Sequence, residues 1–164
     1  QNDDNNNNDD DETKSVDSTP LATVTYEIIC SPESLDSQGN VHSGCIATIY
    51  DNFSTYALGA LEKYWAEFDP ATQSLESYQP WFMEQIVPDI AVTRSLQVSH
   101  HRSIQLGEKV FLEVQLVNDA LQSSAYTARM FDEQGRVYSV MTHDKVKTVF
   151  PPEASASVFT LSKM

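Results

Sequence analysis

A stretch of about twenty residues starting near Gly44 constrains this chain most, because it has a helix's periodicity and almost none of a helix's charge. From Gly44 to Trp65, Ile46, Ile49, Phe53, Ala57, Ala60 and Tyr64 recur at three- and four-residue steps. Between His42 and Leu61 the charged or readily charged side chains are His42 at the start and Asp51. A helix lying on a protein surface shows a charged face. This one has to be covered nearly all round, by a sheet and, beyond it, by a second subunit.

The flanking sequence supplies the sheet. Thr23–Cys30 is β-rich and partly alternating and reads as a strand, followed by a loop over Ser31–Val41 that contains Pro32, Gly39 and Asn40. After the helix, residues 66–88 hold Pro70, Pro80 and Pro88 and read as an insertion with a short helix through Trp81–Ile86. Four β-rich segments follow: Ile90–His101, Lys109–Val117, Ala125–Phe131 and Val137–Val146. Glu133-Gln134-Gly135-Arg136 is a tight turn that makes a hairpin of the last two. The expected layout is α+β: one strand, one long helix, then four strands as a meander, with the helix packed on an antiparallel sheet.

Composition narrows the function classes. The 164 residues carry a formal charge of −14, of which residues 1–19 hold −6 and the remainder −8. Residues 1–19, rich in Asn and Asp and poor in apolar side chains, read as a disordered acidic tail, and residues 20–164 as a single domain. An acidic domain without clustered Lys and Arg is not expected to bind nucleic acid. No apolar run approaches the roughly 18 residues that span a bilayer. Cys30 and Cys45 read as reduced thiols in apolar runs, and His100 and His101 lack the partners of a zinc site, so no metal is expected. Compartment is left between cytoplasmic and mitochondrial, since the chain opens on Gln1 and an upstream address would not show in it.

Two features of the helix bear on chemistry. Asp51 is a lone carboxylate in an apolar element. It reads either as a group bonded to backbone or to Thr48 and Thr55, or as a general base whose pKa burial raises. At the helix start, His42-Ser43-Gly44 offers free backbone N–H groups that can hold an oxyanion, with Ser43 also readable as an N-cap and Gly44 as a point of close substrate approach. Asp51 lies about 10–11 Å along the axis from that start. One helix cannot place both on the same carbonyl. Two helices packed antiparallel across a two-fold bring each Asp51 towards its partner's helix start and create two composite sites.

Gly39-Asn40-Val41-His42-Ser43-Gly44-Cys45-Ile46-Ala47-Thr48-Ile49-Tyr50-Asp51 resembles the signature G-x-x-H-G-G-x-x-A-T-x-x-D of the hotdog-fold acyl-CoA thioesterase superfamily (the PaaI-like class). Asp51-Asn52-Phe53-Ser54-Thr55-Tyr56-Ala57-Leu58 is similar to the D-N-x-S-T-x-A-L stretch of its animal members. Val98–Ser103, the Leu106-Gly107-Glu108 turn and the Asp132–Tyr138 hairpin follow in the family's order, so the resemblance covers about residues 21–147. It implies a hotdog fold, a long central helix wrapped by an antiparallel sheet, assembled as a homodimer or homotetramer. It implies hydrolysis of acyl-CoA thioesters, with coenzyme A as part of the substrate and no separate cofactor. Asp51 is then the carboxylate that activates water or attacks the thioester, the Ser43 N–H polarises the carbonyl, and His42 shapes the helix entry. Thr93 falls where relatives have a Ser or Thr that assists the water, and Asp36 where many have an Asn.

Two departures stand out. Ser43 replaces the first glycine of the pair, and Asp36 brings a second carboxylate towards the site; they keep a non-catalytic acyl-CoA-binding or scaffolding protein as the alternative. Gly44, Asn52 and Arg102 are the expected substrate contacts. Arg102 is the first choice for meeting CoA phosphates, with Arg94, Lys109 and Lys145 behind it. The insertion reads as a structural cap or oligomer contact, or as a wall of the acyl pocket. A hydratase or dehydratase needs a histidine beside the carboxylate, and none follows Asp51 on the helix.

Overall fold

The computed structural model describes residues 19–69 and 71–147. Apart from Thr19, the expected acidic tail lies outside the described residues, as does the part of the expected domain beyond residue 147. The order is β1 (Ala22–Ile29), α1 (Ser43–Ala57), α2 (Leu75–Ile86), β2 (Ala91–His100), β3 (Lys109–Asp119), β4 (Ser123–Phe131) and β5 (Val137–Lys147). Among the described residues no helix is long and apolar enough to cross a membrane.

Ile46, Tyr50, Ser54 and Ala57 form the buried stripe of α1. They meet the inward side chains of β3 (Val110, Leu112, Val114 and Leu116), all fully buried. Tyr50 is fully sealed in this core, and its hydroxyl lies 2.9 Å from the Ser139 carbonyl and 2.8 Å from Ser139 Oγ. Burial pushes its phenol up to about 12, so it stays a neutral donor.

α1 stops short of the periodicity that continues to Trp65. After Ala57 come two single-turn 3-10 helices, Leu58–Ala60 and Glu62–Tyr64. Gly59 interrupts the helix, and a Cβ there would stand 3.2 Å from Phe82 of α2. α2 begins earlier than expected: Ser74 caps it by accepting from the Ser77 N–H at 3.2 Å, and Pro80 is carried inside it. Its aromatic side chains pack as a cap on the chain that leaves α1. Trp65 stacks on Tyr78 and meets Phe82, and the Tyr78 hydroxyl donates to the Tyr64 carbonyl at 2.7 Å.

The five strands form one antiparallel sheet in the order β1-β3-β4-β5-β2. The expected meander holds for β3-β4-β5 but not for β2, which pairs with β5 at the far edge. Both flanks of α1 need covering, and a sheet with β1 and β2 on opposite edges can curl around it. This is the hotdog layout. The β2–β3 connection passes the start of α1, where the Val41 N–H donates to the Ile104 carbonyl at 2.9 Å and Ile104 is buried. The hairpin between β4 and β5 is where expected, with Gly135 at φ 76 and Asp132 Oδ1 accepting from the Gln134 and Arg136 amides.

Removing the Tyr50 hydroxyl takes a partner from two oxygens of buried Ser139. Tyr50→Phe is expected to lower the unfolding free energy by about 1–3 kcal/mol, read as a lower urea midpoint at unchanged slope.

Candidate active site

Asp51 sits on the third turn of α1, its side chain 43% exposed, facing the end of the sheet where β2 and β5 meet. Three strand residues converge on one of its oxygens. Thr93 of β2 donates to Oδ1 at 2.8 Å, while His143 Nε2 and Lys145 Nζ of β5 each lie 3.4 Å from it. The described residues provide no hydrogen bond to Oδ2. Thr55 donates to the Asp51 backbone carbonyl at 2.9 Å and Thr48 to that of Gly44, so neither hydroxyl satisfies the carboxylate.

A bulge brings Thr93 to this place. Thr93 pairs with Lys145, then the register of β2 shifts before Ser95, and Leu96 pairs with His143. Thr93 and Leu96 thus share the inner face although three residues apart, which strict alternation forbids. Lys145 and His143 alternate normally on the inner face of β5 with Met141 and Ser139, all buried. The ring of His143 is fully enclosed: Ser54 Oγ lies 2.8 Å from Nδ1 and Thr93 Oγ1 3.0 Å from Nε2. The Lys145 ammonium also donates to Thr55 at 2.6 Å.

The electrostatics differ from the raised carboxyl expected for a buried base. Burial does push Asp51 up, but the Thr93 hydrogen bond and the Lys145 ammonium outweigh it, and the carboxyl lies below its ordinary value. Burial and the facing Lys145 bring His143 down to about 4, so its ring is neutral at physiological pH. Burial pulls Lys145 down while Asp51 opposes the change.

A second group of candidate residues lies at the start of α1. His42, not Ser43, is the N-cap: its Nδ1 accepts from the Gly44 N–H at 3.0 Å. Ser43 is the first helical residue, and the described non-glycine residues include none at positive φ, so serine carries no strain in the glycine's place. The Ser43 N–H donates to no group among the described residues. Gly44 makes room for its own cap, since a Cβ there would stand 3.0 Å from His42 Nδ1. That accounts for the glycine without any substrate approach.

Asp36 turns inward on its own loop, where Oδ1 accepts from the Gln38 and Asn40 amides at 2.8 and 3.0 Å. Those amides, Asn40 first, hold its carboxyl below the usual range. It is not among the groups that meet Asp51, so the expected pair of repelling carboxylates does not form within one chain. Asp36, Asn40, His42, Ser43, His101 and Arg102 line a cleft of about 740 Å³. Arg102 is stacked on the Tyr138 ring at 4.4 Å and lies 3.5 Å from Asp132, with about a third of its side chain open to the cleft. Another depression, about 590 Å³ on the outer face of the sheet beside Gln97, Glu113 and Arg129, holds none of the candidate residues.

One chain therefore brings Asp51 and Thr93 together, and separately His42, Ser43, Gly44, Asp36 and Arg102. Ser43 and Asp51 are eight positions apart, about 12 Å along the axis at 1.5 Å per residue. Asn52 is exposed beside Asp51. Of the weaker cation candidates, Arg94 pairs with Asp144, and Lys109 with Glu27 and Glu133, all on the surface. Lys145 is corrected from a phosphate contact to a buried partner of Asp51, because at 5% exposure its side chain cannot reach a ligand's phosphates. Sequence reasoning missed His143 and Ser54. A histidine does stand beside the carboxylate, supplied by β5 rather than by the helix.

A profile of the thioesterase superfamily matches residues 38–139. No curated protein sequence matches the chain. Among solved structures it is similar to zebra fish thioesterase superfamily member 2, at 16% identity and a TM-score of 0.59 over 80% of this chain and 78% of that one. It is also similar to the smu.793 protein of Streptococcus mutans bound to acetyl CoA (15% identity, TM-score 0.56, 79% of this chain and 84% of that one). A further likeness is to the E. coli PaaI protein from the phenylacetic acid degradation operon (10%, TM-score 0.51, 77% and 72%). At these identities the likeness is one of fold.

The neutral His143 ring makes stability depend on pH. Its folded pKa of about 4 lies below the 6.5 of a free histidine, so the unfolded chain binds the extra proton between those values. Its contribution is complete above pH 6.5 and is lost as pH falls towards 4, on the order of 3 kcal/mol in all. Urea unfolding at pH 7.5 and at pH 5 is expected to show about 2 kcal/mol of that loss, and His143→Gln to reduce the difference.

Proposed function

The chain belongs to the thioesterase superfamily, and on that premise we propose that it hydrolyses acyl-CoA thioesters to the free acid and coenzyme A in sites shared between two copies of the chain. The observation that carries this reading is the state of Asp51: ionised, its Oδ1 occupied by Thr93, and its Oδ2 open at a partly exposed position. A carboxylate so held can accept a proton from a water molecule at Oδ2 while Thr93 fixes its orientation. The Ser43 N–H, at the positive end of α1 with no partner among the described residues, is the donor for the oxygen that becomes negative as water adds to the thioester. Collapse of the adduct expels the CoA thiolate, which takes up the proton held on Asp51. The acetyl CoA bound to smu.793 is consistent with a CoA thioester as ligand. Arg102, at the cleft beside Ser43, is the cation for its phosphates.

The separation of Ser43 from Asp51 is why two chains are required. Two surfaces are available for the contact. The exposed ridge of α1, Gly44, Thr48, Asn52 and Tyr56, bears no charge, and Tyr56 is 64% exposed. The outer edge of β2 is unpaired among the described residues and carries Val92 at 50% exposure. Antiparallel packing of two α1 helices across a two-fold places each Asp51 near the partner's Ser43. His143 does not revive a hydratase or dehydratase, because its ring is enclosed and cannot touch a substrate.

The direct test is thiol release from short, medium, long and aryl acyl-CoAs. Asp51→Ala is expected to lower kcat at least a hundredfold with the oligomer intact. A folded wild type that binds CoA without turning over any thioester would establish the binding-protein alternative. The shared site has its own test. Ser43→Pro removes the N–H but suits the first helical position. Refolding it with Asp51→Ala is expected to restore about a quarter of wild-type activity, since random pairing makes half the dimers mixed and each mixed dimer keeps one intact site. No recovery on mixing would mean the site lies within one chain.

A further inference from the structure

We propose that His143 is a positioning residue: its Nε2–H holds the Thr93 oxygen, which commits the Thr93 proton to Asp51 Oδ1 and leaves Oδ2 as the one oxygen free for chemistry. The inference rests on the reading of Asp51 as the proton acceptor.

The argument is an accounting of protons. Ser54, His143, Thr93 and Asp51 form a continuous chain, with contacts of 2.8 Å from Ser54 Oγ to Nδ1, 3.0 Å from Nε2 to Thr93 Oγ1, and 2.8 Å from Thr93 Oγ1 to Asp51 Oδ1. Thr93 has one proton, and the carboxylate can only accept it. If Thr93 donates to Asp51, its oxygen must accept from His143, and Nε2 carries the hydrogen. Nδ1 then accepts from the Ser54 hydroxyl. Ser54 is free to donate there although it also lies 3.0 Å from the Asp51 carbonyl, because Thr55 already donates to that carbonyl at 2.9 Å. The opposite tautomer turns the Nε2 lone pair towards Asp51 Oδ1 at 3.4 Å and makes ring and carboxylate compete for one proton.

The surroundings keep the ring neutral. Lys145 and Asp144 of β5, Asp51 of α1 and the Tyr126 ring of β4, 6.1 Å away, are the titratable groups around it. The Lys145 ammonium disfavours a second charge in this enclosed place, so the ring keeps a single hydrogen and its role as acceptor from Ser54. Because its side chain is fully buried, His143 touches no substrate and acts through Thr93 and Asp51.

Three measurements decide it. In wild-type protein labelled with 15N-histidine, the ring signals that vanish in His143→Gln are expected to report the neutral Nε2–H tautomer at pH 7. An Nδ1–H tautomer or an imidazolium overturns the proposal. In kinetics, His143→Leu keeps bulk but no donor, and is expected to lower kcat about tenfold to a hundredfold at unchanged KM, with the acid limb of kcat/KM moved to higher pH. His143→Gln, whose amide N–H reaches towards Thr93, is expected to recover most of kcat and the original limb. Equal losses in both variants, or none in either, overturn it. Should wild type turn over no acyl-CoA, the hydrolase reading fails, yet the tautomer still tests the positioning. So does the Asp51 carboxyl titration followed by 13C NMR, expected to be raised in the Leu variant and restored in the Gln variant. Should the Leu variant fail to fold, the wild-type tautomer and the Gln variant decide alone.

Discussion

α1 has to be kept from water on most of its circumference, and the other elements are arranged to do so. Its fifteen residues contain one charged side chain, and Ile46, Tyr50 and Ala57 are buried against the inner faces of the strands. Each large apolar side chain taken out of water contributes about 1.5–3 kcal/mol, so the sheet gains most by curling round the helix. The strand order follows. β2 leaves the sequence neighbour it would meet in a meander and covers the flank opposite β1. The connection that results crosses the start of α1 and carries Arg102 to the cleft beside Ser43.

The same enclosure that stabilises the core sets the chemistry at its open end. Inner positions of β3 are occupied by Val and Leu, whereas those of β5 run from Met141 to His143 and Lys145 as the strand approaches Asp51. Buried polar groups are costly unless each finds a partner. Here Ser54, Thr55, Thr93 and Asp51 supply the partners, and the helix and two strands are tied by them at one point. Burial and the Lys145 ammonium keep His143 neutral, while the Thr93 hydrogen bond and the same ammonium keep Asp51 ionised. A place where apolar patterning gives way to a satisfied polar network is where a folded chain departs from its own stability optimum, and such departures gather at functional sites.

Much of this was legible beforehand, and the misses have physical causes. The near absence of charge on the helix announced its burial, and the His42-to-Asp51 spacing, with the resemblance it carried, pointed to the hotdog layout and both halves of the candidate site. Periodicity overran the end of α1 because Tyr64 is buried too, from a 3-10 turn beyond the break at Gly59. The expected short helix begins only at Trp81, yet the Ser74 cap starts α2 six residues earlier and carries Pro80 inside it. His143 gave no signal along the chain. Along β5 polar Ser139, His143 and Lys145 are buried with Met141 while apolar Val140 is 38% exposed, so side-chain character does not mark the inner face.

Local pattern was enough for the wrapped helix, the run of strands, the tight turn at Gly135 and the lone carboxylate, because each follows from side chains within a few residues of one another. Tertiary structure decided the rest. The bulge in β2 turned Thr93 inward, and the register of β5 set His143 and Lys145 behind Asp51. These depend on which strand lies next to which and in what register. A shift of one residue along a strand moves every side chain to the opposite face, so they are settled only when distant segments pack around the same helix.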